Sequence, residues 1–598
     1  MNLRVFYLLI LFVLSGPMAW SQDIKRIVPK VVKRPDGEAT IMVPELPAVG
    51  ENSSDEAIGQ ISGFVLWGRM EEVQADAPLQ GDGVQVKGED LVVPDEVLEA
   101  LQSYVDGPLS IATIENITRD VVLAYRKADL PVVDVGFPEQ DVSSGVLQLV
   151  IVVGRVGEVR VSGAEYFDPE RYLKHLRLAP GELIYQSILL EDLRFLSRNP
   201  FRSLNLVYTP GTEFGEADMV LEVDETRPLS AYVGYDNTGN EFIGVDRLNF
   251  GFEWGNVFGL DHIVSYQYTS SVDFEGLQGH SLYYRAPIAA TRGELRFLGG
   301  YVETDVSIQA AGQIFNSGGE SAQLSGVYVQ PLPNWWGIEQ DLHMGFDFKT
   351  TNNNLEFGGL RVSDTYTEIY QFTLAQMGRK RSRFGLTQFY NRLVASPGGF
   401  SGQNTDEVFN ELRLGASASY VYWNGSITQM IPLPKDFQLH LMLEGQASSN
   451  NLLPSESLIL GGEGSVRGFE QNITRADYGA VANIELYTPA FSPLSRLGWG
   501  AKDPVYEGEG GKRTLIEPGR ELEEGLRFFA FLDLGWGGSV ERLPREPSSR
   551  ELGGAGAGLN YYLNRNLVLR AAYGWQVWEE GFVDGENGRS HISVTMRW

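Results

Sequence analysis

The sequence has no cysteine, few histidines, no strong excess of positive charge and no long apolar run, and each lack removes a class of protein. Without cysteine there is no disulfide framework, thiolate metal site or cysteine nucleophile. The six histidines form no H-E-x-x-H, no i, i+4 pair and no cluster with carboxylates, so no metal site is assigned to them. No G-x-S-x-G elbow occurs. Nor is there a G-x-x-x-x-G-K-[ST] phosphate loop, because Gly464-Ser465-Val466-Arg467-Gly468 lacks both the lysine and the strand–helix setting. No catalytic residue and no cofactor are therefore expected. The net charge of −30 leaves no broad surface able to neutralise a phosphate backbone, which argues against nucleic acid. After the first residues, no uncharged apolar run approaches the roughly 20 residues that a membrane-spanning helix takes.

The 598 residues that are there exceed one compact core and imply several domains. Arg4 followed by the apolar run Val5 to Leu14 and by Ala19-Trp20-Ser21 reads as a cleaved export signal over residues 1–21. Residues 22–57 lack periodicity. They carry Pro29, Pro35, Pro44 and Pro47 and the polar stretch Gly50 to Glu56, and read as a flexible tether. The basic cluster Lys25, Arg26, Lys30, Lys33 and Arg34 has two readings, a solvated linker or a segment that threads an acidic lumen.

From 58 to 226 helices and strands alternate. Pro94-Asp95-Glu96 opens a helix with Val97, Leu98, Leu101 and Val105 on one face, and a second helix runs through Ile114, Ile117, Val121 and Tyr125. Strands follow at Val132–Val135 and Gly145–Val153. A second round gives a strand from Val156 to Val161, helices around Tyr172–Leu178 and Ile188–Leu196, and strands Ser203–Tyr208 and Ala217–Val223. This is expected to be a tandem pair of small α+β domains, 58–155 and 156–226.

From 227 to 598 the helical period gives way to a two-residue one. In Leu248, Phe250, Phe252 and Trp254 every even position is large and apolar, and the intervening positions are polar or glycine. The pattern recurs in Leu567, Leu569, Ala571, Tyr573, Trp575 and Val577, and in Ile592, Val594, Met596 and Trp598. Such strands suit a soluble sandwich as well as a membrane barrel. Segments of about ten residues are the length a tilted strand needs to cross hydrocarbon. Tyr, Trp and Phe on the apolar face suit the membrane–water interface. Glu, Arg and Asn on the other face would need partners in a packed core. The expectation is an antiparallel transmembrane β-barrel; about sixteen strands would use the available length and leave a wet lumen.

Arg198-Asn199-Pro200-Phe201-Arg202, with Pro210-Gly211-Thr212 and Asp218-Met219-Val220-Leu221-Glu222-Val223, resembles the second POTRA domain of two-partner secretion transporters, the family of haemolysin-activating outer-membrane proteins. Val466-Arg467-Gly468-Phe469, inside the glycine-rich run from Gly461, is similar to the family's loop signature. Phe531-Leu532-Asp533-Leu534-Gly535 is similar to its matching strand motif Phe-x-Asp-x-Gly. The terminal aromatic Trp598 resembles the recognition signal of outer-membrane barrels. Residues 22–57 depart from the family in showing no amphipathic plug helix.

The resemblance implies two periplasmic POTRA domains that capture a secreted exoprotein client, and a barrel that conducts it outward without ATP. Its surroundings would be outer-membrane lipid and lipopolysaccharide, with the barrel-assembly machinery acting during biogenesis. The alternative within the superfamily is a factor that inserts other barrels, and a passive porin would leave 58–226 unexplained. The alternation in Leu526, Phe528, Ala530, Leu532, Leu534 and Trp536 turns Asp533 toward the lumen. With the resemblance, this predicts that the loop folds inward on Gly461, Gly462, Gly464 and Gly468 and that Arg467 pairs with Asp533. The acidic segment Glu507-Gly508-Glu509, continuing to Glu521, Glu523 and Glu524, reads as a solvated loop at the cell surface, with calcium binding as its alternative.

Overall fold

The computed structural model describes residues 40–44, 46, 56–73, 83–88, 90–240, 243–310, 313–357, 360–497, 505–507, 514–517, 523–544, 546–564, 566–581 and 585–598. The export signal, the basic cluster from Lys25 to Arg34, and Pro29, Pro35, Pro47 and Gly50 to Asp55 lie outside them. The described residues form two units, 40–228 and 229–598.

In the first unit, β1 (Thr40–Met42) precedes an α+β layer of β2 (Gly63–Trp67), β3 (Gly83–Val86), α1 (Asp95–Gln102), α2 (Ile111–Lys127), β4 (Val133–Gly136) and β5 (Val146–Val153). The sheet order is β3-β2-β5-β4. Asp95 and Glu96 sit in the first turn of α1, where negative charge opposes the helix dipole, and Ser110 caps α2 by accepting from Thr113 N at 3.1 Å. Both helices bury their apolar faces: Val97, Leu101, Ile117, Val121 and Tyr125 pack on Phe64, Leu66, Leu147 and Leu149. Strand β2 is buried along its whole length. Its run Phe64-Val65-Leu66-Trp67 has no period of two, which is why alternation does not reveal it.

Only Gly154 separates β5 from the next layer, made of β6 (Arg155–Ser162), α3 (Pro169–His175), α4 (Gln186–Leu196), β7 (Arg202–Pro210) and β8 (Glu216–Glu225). Its sheet order is β1-β7-β8-β6. Arg202, in the stretch that resembles a POTRA motif, lies over Phe167 and Tyr172 at 4.8 and 5.1 Å and donates to Leu196 O at 2.8 Å. Strand β1 differs from the tether expected over 22–57. Its Thr40, Ile41 and Met42 pair in parallel with Asn205, Leu206 and Val207, and Ile41 packs on the second core. Three residues are too few to show a period, and the unpaired edge of β7 is what makes them a strand.

The second unit is a closed antiparallel barrel of 16 strands. In order they are β9 (Leu229–Asp236), β10 (Arg247–Val257), β11 (His262–Ser271), β12 (Leu277–Ile288), β13 (Gly293–Ala310), β14 (Gln313–Trp335), β15 (Ile338–Phe357), β16 (Leu360–Ser382), β17 (Gly385–Ser396), β18 (Tyr420–Pro432), β19 (Gln438–Ser448), β20 (Tyr478–Tyr487), β21 (Glu524–Gly538), β22 (Arg550–Leu563), β23 (Leu567–Glu580) and β24 (Gly588–Arg597). Pairing of Tyr232 with Arg597 through Asp236 with Ser593 closes the ring, so no edge is left open. Trp598 extends this seam: its N–H donates to Ala231 O at 2.9 Å and its carbonyl accepts from Ala231 N at 3.1 Å.

Alternation is visible in exposure. On β21, Phe528, Leu532, Leu534 and Trp536 are 39–47% exposed, whereas Phe529, Phe531 and Asp533 are at most 5% exposed. Leaving a band of Phe, Leu and Trp uncovered is tenable where lipid covers it. Among the described residues no helix is long and apolar enough to cross a membrane. Strands β13 to β16 run to 18, 23, 20 and 23 residues, well beyond the roughly ten that hydrocarbon requires.

The chain enters the barrel at Leu229, so every connection that follows an even-numbered strand of the ring returns to that end. The connection from β20 to β21 follows the twelfth strand and lies there, not at the opposite mouth where a surface loop was expected. Gly508, Glu509 and Glu521 of that connection are outside the described residues. Glu524 is buried and accepts from Leu494 N, Ser495 N and Tyr561 OH at 2.9, 3.2 and 2.9 Å. Its carboxylate closes a short helix, which accounts for it without a cation. No group of metal-ligating residues occurs among the described residues.

Candidate functional site: a loop locked inside the barrel

The connection between β19 and β20, residues 449–477, turns back into the lumen. A short hairpin, Leu458–Leu460 paired with Thr474–Ala476, carries its tip inward. Val466 and Phe469 are fully buried there with Leu458, Leu460, Ala476, Val481 and Leu552. The strand position of Asp533, five residues below the distal end of β21 at Gly538, puts the tip roughly 17 Å along the wall.

At the tip the two sequence motifs meet. Arg467 Nε donates to Asp533 Oδ2 and its Nη2 to Asp533 Oδ1, both at 2.7 Å, a bidentate fork. The Arg467 backbone N–H adds a bond to Oδ2 at 3.0 Å, and Asn483 Nδ2 adds one to Oδ1 at 2.8 Å. Asp533 is thus four times bonded at zero exposure, and the Arg467 side chain is 2% exposed. The guanidinium lies 3.7 Å from the centroid of Phe531, which gives the aromatic of the strand motif its part: a π-face under a desolvated cation. A Cβ at Gly535 would come within 2.8 Å of Val466 Cγ2, so the glycine of that motif is the space Val466 fills.

Gly468 has φ +99°, a left-handed conformation, and a Cβ there would meet the backbone of Gly574 at 3.1 Å. Its N–H donates to His591 Nε2 at 3.1 Å and its carbonyl accepts from Gln576 Nε2 at 3.0 Å. A nitrogen that accepts is unprotonated, so His591 holds the loop as neutral imidazole. Gly464 differs from its expected part in the fold-back, since a Cβ there would meet nothing within 4 Å and its φ is not left-handed.

Sequence reasoning missed the rest of the charge network. Arg467 Nη1 also donates to Glu485 Oε1 at 2.5 Å, and Arg570 Nη2 donates to the same oxygen at 2.8 Å. Arg570 lies over Phe529 at 4.8 Å and is 3.7 Å from Glu463 of the loop. Arg467, Asp533, Glu485 and Arg570 alternate in sign, so each charge faces an opposite one. Glu485 and Arg570 stand on lumen-facing positions where any polar residue satisfies the alternation; only the register Glu485↔Phe531 brings them to Arg467. Trp598 is 67% exposed on the seam and makes its hydrogen bonds to Ala231, not to this cluster. Chemically the arrangement binds a loop to a wall; it holds no nucleophile beside a base.

Comparison with known proteins agrees with this geometry. The family model described as haemolysin secretion/activation protein ShlB/FhaC/HecB matches residues 215–499, and that of the POTRA domain, ShlB-type, matches 79–154. The heme/hemopexin transporter protein HuxB of Haemophilus influenzae (strain 86-028NP) is 24% identical over 418 residues, 67% of this chain and 71% of its own length. The outer membrane transporter CdiB of Dickeya dadantii (strain 3937) is 27% identical over 362 residues, 58% and 61% of the two chains. Among solved structures, CdiB from Escherichia coli superposes with a TM-score of 0.70 at 17% identity, covering 98% of this chain and 96% of its own. CdiB from Acinetobacter baumannii gives 0.60 at 17% identity, covering 100% and 98%. A POTRA layer ahead of a closed sixteen-strand barrel, with the Val466–Phe469 loop bound to the Phe531–Gly535 strand, is therefore the framework of a two-partner secretion transporter of the outer membrane whose POTRA domains lie in the periplasm, and over residues 215–499 the chain matches the haemolysin secretion/activation (ShlB/FhaC/HecB) family.

Proposed function

We propose that this transporter takes an exported partner protein from the periplasm and passes it outward through the barrel lumen, with the Arg467–Asp533 pair bracing the inward loop as part of the transport cycle. The observation that carries the reading is a desolvated, fully bonded ion pair between loop tip and wall. Residues 1–21 serve as export signal, 22–57 as periplasmic linker, 58–155 and 156–226 as POTRA domains, and 227–598 as barrel. The first sheet ends on β3 and β4, and Val86 on β3 is 44% exposed. An unfolded client gains main-chain hydrogen bonds by adding a strand at such an edge, with little demand on its side chains. No nucleotide-binding loop is present, so the client's folding outside the cell supplies direction. Outer-membrane lipid and lipopolysaccharide surround the barrel, and the barrel-assembly machinery inserts it, reading the end at Trp598.

The test is co-expression with a large exported β-helical protein encoded beside this chain, followed by assay of the medium. Arg467→Asp and Asp533→Arg should each abolish secretion, and their combination should restore part of it. A double exchange as inactive as either single one, in barrels still folded, would rule out direct pairing as the working contact.

A further inference from the structure

The distal mouth of the barrel contains a second closure, made where another connection packs on the stem of the inward loop, away from its tip. Ile369 on β16, Val394 on β17 and Tyr422 on β18 face the lumen, since their neighbours Phe372, Leu393, Val421 and Trp423 are 42–49% exposed on the lipid side. Yet these three are at most 1% exposed. In an open, wet channel nothing would bury them. What covers them is α5 (Asp406–Leu412) of the connection between β17 and β18, through Phe409 and Leu412, together with Leu452 and Leu453 from the stem of the inward loop.

A single carboxylate joins these pieces. Asp477, at zero exposure, accepts from Arg413 Nη1 at 2.6 Å and Nη2 at 2.9 Å, the residue that follows α5. It also accepts from Leu452 N at 2.9 Å and from Val540 N, beyond the end of β21, at 3.2 Å. Three surface connections thus meet on one side chain. Asn451 and Glu541 exchange two more bonds at 2.9 and 2.8 Å. On the other flank, Glu456 ties the stem to Lys349 of β15 at 2.6 Å and to Tyr422 at 2.8 Å. The stem is therefore fixed to the wall through Glu456, while the α5 connection is hinged on β16, where Ser401 Oγ donates to Glu368 Oε2 at 2.6 Å and Asn404 Nδ2 to Glu368 O at 2.8 Å, and reaches the stem through Arg413 and an apolar contact.

We propose that the connection carrying α5 is an outer seal of the channel, latched to the inward loop by Arg413 on Asp477, and that it opens independently of the Arg467–Asp533 lock. The inference rests on the lumen being the route of passage, and its test uses ion flow, so it needs no client.

In planar bilayers, Arg413→Ala is expected to raise the open-state occupancy of the channel about tenfold or more, because Asp477 is left buried without its cation. The chain has no cysteine, so an engineered pair is unambiguous. Ala416 and Asn451 are partners in a parallel bridge, within reach of a disulfide. Adding Ala416→Cys and Asn451→Cys to Arg413→Ala should return the oxidised channel to the parental conductance, and dithiothreitol should reopen it. Parental conductance in a correctly folded Arg413→Ala barrel, or opening that persists with the disulfide formed, would overturn the proposal. If Arg413→Ala does not fold, the cysteine pair alone decides: oxidised channels should open about a tenth as often as reduced ones, and equal opening refutes the seal.

Discussion

Asp533→Asn is the most informative change at the lock, because it keeps the shape of the side chain and removes only its charge. The Arg467 guanidinium, whose side chain is 2% exposed, then loses its bidentate counter-charge and keeps only Glu485, which it shares with Arg570. Arginine cannot shed its proton, so the cost is not escaped by neutralisation. Breaking one partner of a buried pair typically costs 3–5 kcal/mol. Arg467 keeps its bond to Glu485, so the lower end, about 3 kcal/mol, applies, and it shifts the balance between locked and released loop by about 150-fold. Val466 reports that balance. It is fully buried against Gly535 when the loop is locked, so in Val466→Cys the thiol reacts with a maleimide only from the released state. Asp533→Asn in that background should raise the labelling rate by about two orders of magnitude. A rise of less than about threefold in barrels that still show heat-modifiable migration would mean that the pair does not hold the loop.

Further predictions follow from the same contacts. Arg467→Gln combined with Asp533→Asn removes both charges of the pair and leaves no buried guanidinium without its carboxylate, so Val466→Cys labelling should fall well below that of Asp533→Asn alone, with a coupling of about 2 kcal/mol in the double-mutant cycle. Gly468→Ala places a side chain on a φ of +99° against the Gly574 backbone and should release the loop by about 1–3 kcal/mol, read by the same labelling. In the periplasmic unit, Asp192 is fully buried and accepts from Arg177 N at 2.8 Å and Arg177 Nε at 2.7 Å; Asp192→Ala should cost about 2–4 kcal/mol, measured as a lower midpoint of the first transition in urea unfolding. Deleting Trp598 removes two bonds of the closing seam to Ala231 and should reduce the amount of folded barrel recovered from the outer membrane.

The sequence alone determined the phase of the strands, because one apolar and one polar face impose a two-residue period, and strand length, aromatics on the apolar face and charges on the other pointed from sandwich to membrane barrel. That period turns Asp533 inward, and it is the resemblance of Val466-Arg467-Gly468-Phe469 to a family loop that points to Arg467 as its partner. Helices α1, α2 and α4 were equally legible, since their apolar spacing and their stops are local properties. Tertiary structure decided what depends on register and on neighbours distant in the chain. Glu485, Arg570 and His591 join the lock only through strand pairing, and Arg413, Leu452, Asp477 and Val540 meet only where three loops converge. The same holds for Thr40–Met42, a strand only because β7 offers it an edge. It also holds for the acidic connection, whose end of the barrel follows from counting strands rather than from its own composition. A polar residue on a lumen-facing position satisfies the alternation whatever it is, so periodicity reveals the wall and its direction but never which charges will face one another.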